Sequence, residues 1–278
     1  MQTAAAAPRT RIRTPGAMAV RGMALGYLAV MLIIPLAVIF QDGLSNGLSG
    51  LWSAISRPVP SRALLLSLWT AAVMAVINAV MGTLTAYVLV RYRFPGKMLL
   101  NAIVDLPFAI PTLVTGVMLV VLYGPQRALG AWLDQTFGLQ IVFAPPGIIL
   151  ALLFVTFPFV VRTVQPVLQS LDREQEEAAA TIGAGAWTTF RRVVLPAIML
   201  PLTSGALLSF ARAIGEFGAI VVVAGNIPLR TQTAAVYVFG EVESENRRAA
   251  SAMSVVMLFI AFGLVVLVDF LQRKRDDG

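Results

Sequence analysis

Two residue types are missing from this sequence altogether. None of the 278 residues is a cysteine, so disulfides, thiolate metal sites and thiol nucleophiles are excluded. None is a histidine, which removes imidazole triads, imidazole proton relays and the usual zinc sites. Lysine is nearly absent: Lys97 and Lys274 stand alone, followed by Met98 and Arg275. Neither fits the G-x-x-x-x-G-K-[ST] phosphate loop, so any nucleotide that drives this protein binds to another subunit. Charge is scarce too. Charged residues make up 13%, against about 25% in soluble domains. At that density polar groups cannot cover a globular surface, and the solvent expected for this chain is lipid.

Apolar residues make up 58% and mean hydropathy is +0.82. Six apolar stretches carry this excess: 22–41, 63–90, 106–126, 135–161, 193–211 continuing past Arg212 and Glu216 into 217–229, and 249–268. Within 135–161, Pro145-Pro146-Gly147 is expected to open the helix. Each stretch is long enough for a hydrocarbon layer about 30 Å thick, and each must be helical, because lipid offers the backbone no hydrogen bonds. The expected fold is therefore all-α, a polytopic membrane protein with six transmembrane helices. The division expected along the chain is a disordered tail at 1–19, a permease domain at 20–272 containing a long loop at 162–196, and a short tail at 273–278. A cleavable leader is the other reading of the start, but 22–41 is long for one and no small-x-small site ends it.

Six spans put both termini on one side. That side collects 14 of the 21 cations, among them Arg91, Lys97, Arg162 and Arg173, while the other side holds six and Arg212 falls inside a span. The positive-inside bias makes the terminal side cytoplasmic, N-in and C-in. The net charge of +7 is thus read as membrane orientation, with no nucleic-acid partner.

One loop on that side is long. From Pro166, a residue suited to a first helical turn, Leu168, Leu171, Ala178, Ala179 and Ile182 recur at helical spacing. Glu174, Glu176 and Glu177 flank three alanines. Gly183-Ala184-Gly185 then breaks the helix, and a second short helix carries Trp187 and Phe190 toward Pro196. Such a hairpin either docks in a groove on a partner or rests on lipid headgroups. Its acidic cluster argues against the second, because inner-leaflet lipids are anionic.

Here the sequence resembles a known family. Glu177-Ala178-Ala179, three residues, Gly183, nine residues, then Val193-Val194-Leu195-Pro196 is similar to the E-A-A-x3-G-x9-I-x-L-P loop of ABC importer permeases, departing only at Val193. Further segments resemble the sulfate/molybdate group: 105–112, 211–218 and 224–228. Residues 159–168, 237–244 and 271–274 look most like the T-type subunit of sulfate/thiosulfate permeases. The resemblance implies a type I-like permease fold and no covalent catalysis. Glu177, Ala178, Ala179 and Gly183 would dock on an ATPase. The implied partners are two ABC ATPase subunits carrying ATP and magnesium, a second permease of the W type, a periplasmic sulfate-binding protein and membrane lipid. The implied location is the bacterial inner membrane. This chain would need no cofactor of its own. The alternatives are a molybdate or tungstate permease, or a secondary transporter that works alone. The latter has few acids in its spans to use: Asp105, Glu216 and Asp269.

Charges in a span face the protein interior or a water-filled path. Arg212 and Glu216 stand four apart, on one helical face. They form either a packing ion pair, with Gly215 and Gly218 allowing close approach, or part of a path in which Arg212 meets an oxyanion. Asp105, beside Pro107 and Pro111, is expected to serve packing or gating. Asn226 lies in the turn Gly225-Asn226-Ile227-Pro228, ahead of a half-inserted segment at 233–242 assigned to a gate. Thr231, Gln232 and Thr233 either bond an oxyanion or are simply hydrated.

Overall fold

The computed structural model describes residues 15–276 of the chain, and its described elements are helical. The expected tail at 1–19 lies partly outside these residues, and its last part is corrected. Helix α1 begins at the tail's edge, Pro15–Leu28, and a π-turn (Ala29–Ile33) joins it to α2, Ile34–Gly43. The wide turn has a cause in Pro35, which has no N–H for the carbonyl one turn back and whose ring presses on it. Residues 273–276, expected as tail, continue the last helix.

Helix α3 (Gly47–Ile55) is short, and α4 (Pro58–Arg91) is 34 residues long. The third span is broken rather than straight: α5 (Lys97–Ala109) and α6 (Thr112–Tyr123) meet at 111°. Pro107 and Pro111 flank the break, and Ile110 between them takes extended backbone, as a residue before proline prefers. Helix α7 (Ala128–Phe137) ends on Gly138 in the left-handed region.

Helix α8 (Pro145–Ser170) opens where expected but runs on through Pro158 and Pro166. Pro166 therefore sits inside a span and does not start the loop helix. Then follow α9 (Arg173–Thr181), α10 (Ala186–Thr189), a π-turn (Phe190–Val194) and α11 (Leu195–Ile214). The second π-turn also stands just ahead of a proline, Pro196. From Ala186 to Ile214 the chain is one long span, so the second arm of the hairpin is the start of that span and no separate helix. The fifth span stops at Ile214. After a break come α12 (Gly218–Val223), α13 (Ala234–Glu243) and α14 (Arg247–Asp276). Among the described residues five helices are long and apolar enough to cross a membrane, six if the bent pair is one span.

Helix α8 is the hub, packed on α4, α11, α5, α6 and α12. Met74, Ile148, Leu152, Ile220 and Val223 fill one core, and Leu89, Val104, Val160, Leu168 and Ile198 fill a second toward the terminal side. Lipid supplies no hydrophobic drive between helices, so close packing must. Glycines make it possible: a Cβ on Gly82 would stand 2.9 Å from the Val160 side chain. A polar clasp adds to this. Asn78 Nδ2 donates to Thr156 Oγ1 at 2.9 Å, and that hydroxyl donates to the Leu152 carbonyl at 2.8 Å. The first span lies outside the bundle. Its most apolar stretch is 0% buried, and it rests on α14 through contacts such as Phe40 on Phe259.

Candidate functional site

The loop predicted to dock is a compact corner. Asp172 caps α9 by accepting from the Glu174 N–H at 3.0 Å, and Glu174 and Glu176 in the first turn complement the helix dipole. At the other end Gly183 has φ +85°. Its N–H donates to the Ala180 carbonyl and that of Ala184 to the Ala179 carbonyl, both at 3.0 Å. This is a Schellman closure, which needs a left-handed residue at the position Gly183 holds. The expected single apolar face does not form. Leu168 is buried at the end of α8, whereas Ile182 is 85% exposed, because the chain breaks at Leu171-Asp172 between them.

Of the four residues expected to dock, Glu177, Ala178 and Gly183 are exposed and Ala179 is half-buried. Ile182 and Trp187 stand exposed beside them, Trp187 stacked on Phe190 at 5.8 Å. What holds this corner was not foreseen. Arg91, in the last turn of α4, pairs with Glu176 and donates to the Leu171 carbonyl at 3.2 Å. Arg173 donates back to the Arg91 carbonyl at 2.9 Å. Tyr87 packs edge-on against Phe190 at 5.7 Å. The loop is thus fastened to the end of α4, and a cleft of about 440 Å³ remains between them, lined by Tyr92, Glu177, Ala180 and Ala184. No sequence signal links Arg91 to Glu176 across such a separation.

Asp105 is joined to Arg162, not to the other candidates. Arg162 Nε donates to Oδ1 at 2.7 Å and Nη2 to Oδ2 at 2.5 Å, while Nη1 donates to Asn101 Oδ1 at 2.8 Å. This bidentate pair ties α5 to α8, and Arg162, counted above with the loop cations, lies within a helix.

Arg212 and Glu216 do meet, at 2.8 Å, although no continuous helix carries both. Glu216 lies past the helix end, is 2% exposed, and accepts from the Ala219 N–H at 3.0 Å. Arg212 keeps 37% of its side chain exposed. Gly218 allows the predicted close approach, since its Cβ would stand 2.3 Å from Thr112 Oγ1, but Gly215 has nothing within 4 Å. Ser209, one turn earlier, donates to the Thr156 carbonyl midway along α8 at 3.4 Å, so Arg212 lies about one turn beyond the level of the α8 midpoint.

Asn226 belongs to a tight loop at the other end. Its Oδ1 accepts from Gln232 Nε2 at 2.6 Å, and the N–H groups of Arg230, Thr231 and Gln232 converge on the Ile227 carbonyl. Gly225 and Leu229 both have positive φ. Thr231, Gln232 and Thr233 are buried, so surface hydration does not explain them. Thr231 donates to the Ala224 carbonyl at 2.7 Å, and Ser67 on α4 accepts from the Ala234 N–H at 2.8 Å.

Residues 78–276 match the family described as binding-protein-dependent transport system inner membrane component. The chain belongs to that family. Among curated relatives it is 42% identical to the probable sulfate transport system permease protein cysT of Nephroselmis olivacea, over 91% of this chain and 89% of that one. It is 40% identical to the sulfate transport system permease protein CysT of Synechocystis sp., covering 89% and 86%, and 38% identical to that of Escherichia coli, covering 94% of each. The fold is similar to a chain of a bacterial ABC transporter involved in the import of the acidic polysaccharide alginate. The TM-score is 0.75 at 16% identity, over 93% of this chain and 95% of that one. The inward-facing MetNI methionine ABC transporter gives 0.54 at 17% identity, over 77% and 96%. The all-α membrane-permease fold expected from the sequence is the one observed, and the chain is a transport-system permease.

Proposed function

We propose that this chain is the transmembrane subunit of an ATP-driven importer that moves sulfate or thiosulfate inward across the bacterial inner membrane. The observation that carries the reading is the exposed Glu177-Ala178 corner, closed by Gly183 and fastened to α4 through Arg91. A surface built to be pushed needs both features, an exposed contact and a stiff attachment. The sulfate permease names of the relatives supply the substrate.

In this reading both termini face the cytoplasm, and Glu177, Ala178, Ala179 and Gly183 dock on one of two partner ATPases, which hold ATP and magnesium. A second permease of the W type completes the path, and a periplasmic binding protein delivers the anion on the far side. Arg212 meets the oxyanion when it parts from Glu216. Asp105 holds the α5–α8 junction through Arg162, and Asn226 orders the far-side loop.

The test is reconstitution of the chain with its candidate partners in vesicles. ATP-dependent accumulation of labelled sulfate is expected, with thiosulfate competing and molybdate competing weakly. Accumulation without ATPase subunits would sink the coupling role, and preferential uptake of molybdate would reassign the substrate.

A further inference from the structure

The far side of the molecule holds a small pocket that no step above uses. It lies between α4, the start of α8 and the loop ahead of α13, and has a volume of about 210 Å³. That is space for a tetrahedral anion with several waters, at ~30 Å³ per water. Arg62 and Arg230 line it together with Gln232 and Trp69, and no carboxylate does. Three arginines inside the bundle or at the docking corner, Arg91, Arg162 and Arg212, each have an acid partner, whereas others at helix ends such as Arg57 and Arg127 have none among the described residues. Among the described residues neither Arg62 nor Arg230 has one. Both arginines are exposed, and a tetrahedral anion in the pocket would meet two guanidinium forks and no competing carboxylate.

Gln232 supplies an independent sign. It is 8% exposed, its Nε2 is spent on Asn226, and its Oε1 is buried with no hydrogen-bond partner. An orphaned buried acceptor calls for an explanation. If both amides turn over, donor and acceptor exchange, the Asn226–Gln232 bond survives, and Gln232 offers an N–H to an oxyanion instead of a stranded oxygen.

We propose that Arg62, Arg230 and Gln232 form a binding site for a tetrahedral oxyanion. The anion is either free sulfate waiting on the far side or the phosphate of an anionic lipid reaching the same pocket. The sulfate arm rests on the function proposed above, and the lipid arm does not.

The experiment uses the assembled transporter in nanodiscs of phosphatidylcholine, with labelled sulfate as probe. A second set of nanodiscs contains phosphatidylglycerol, and mass spectrometry reads the lipid retained. Saturable sulfate binding, phosphatidylglycerol retention or both are expected in the wild type, weakened about tenfold or more by R62Q/R230Q. Competition between sulfate and phosphatidylglycerol tells the two sources apart. If R62Q/R230Q does not assemble, R62K/R230K keeps the charge without the fork, and a smaller loss is expected. Equal sulfate and lipid binding in wild type and variant overturns the site. So does a variant whose only defect is poorer capture of the periplasmic binding protein, because the arginines are then a protein-docking patch. Wild-type ATP-driven uptake, measured in parallel, tests the sulfate function separately.

Discussion

Glu216 is the residue whose environment most constrains its chemistry. Its carboxylate is buried, pairs with Arg212 and caps the first turn of α12 through Ala219. Removing Arg212 leaves that charge without its partner, which typically costs about 3–5 kcal/mol for a buried pair. The lower end applies because Arg212 is partly exposed. R212A is expected to lower the thermal midpoint of the purified protein, and R212A/E216Q to restore it, since glutamine still accepts from Ala219. Uptake by the double variant decides the role of Arg212: recovery means packing alone, and continued loss with restored stability means the guanidinium meets the substrate. Gly183 gives a second prediction. A Cβ there has nothing within 4 Å, so crowding is not the obstacle, but a left-handed alanine costs about 1–2 kcal/mol and a β-branched residue more. G183V is expected to insert and assemble normally while ATP hydrolysis and uptake lose their coupling. Normal coupled uptake in that variant removes Gly183 from the docking role.

Helices meet at small residues here, and α12 against α6 is one of the tight cases. A Cβ on Gly218 would fall 2.3 Å from Thr112 Oγ1 and one on Gly116 would fall 2.6 Å from the Ala219 carbonyl. G218A should therefore destabilise by about 1–3 kcal/mol. G218A/T112A should recover much of that loss, because the second change removes the clashing oxygen. Detergent-scan stability of the two variants measures the difference. The same element shows where sequence reasoning stops. The four-residue spacing of Arg212 and Glu216 reads as one helical face, and the ion pair forms, yet the helix ends between them. A pair that closes across a cap has the same spacing as one along a continuous turn. Arg162 was misplaced for a related reason. A charge ends an apolar run, and the partner that makes it tolerable, Asp105, lies 57 positions away. The charge-free runs behind the first, second and last spans were legible, and so was the glycine that closes the hairpin. Pro107 and Pro111 mark the third span for a bend but not for a break of 111°, because paired prolines also occur in spans that merely kink.

At the scale of the whole molecule, the two ends of the bundle differ in kind. The terminal side carries the fastened corner, and the far side carries the loop around Asn226 and the pocket with Arg62. E176Q/R91M should therefore leave folding of the far side intact while lowering transport at unchanged ATPase binding, which binding and uptake measured on one preparation will show. One rod reaches both ends. Helix α4 holds Arg91 at one extremity and Arg62 and Ser67 at the other, and Asn78 grips Thr156 between them. At 1.5 Å per residue the two arms measure roughly 20 Å and 24 Å. Pivoting about that grip by about 5° would carry the far tip roughly 2 Å, enough to open or shut a hydrogen bond. A push at the Arg91 end would therefore be felt at the Arg62 end as a see-saw stroke, provided the contacts of α4 with α8 and α11 slide with it.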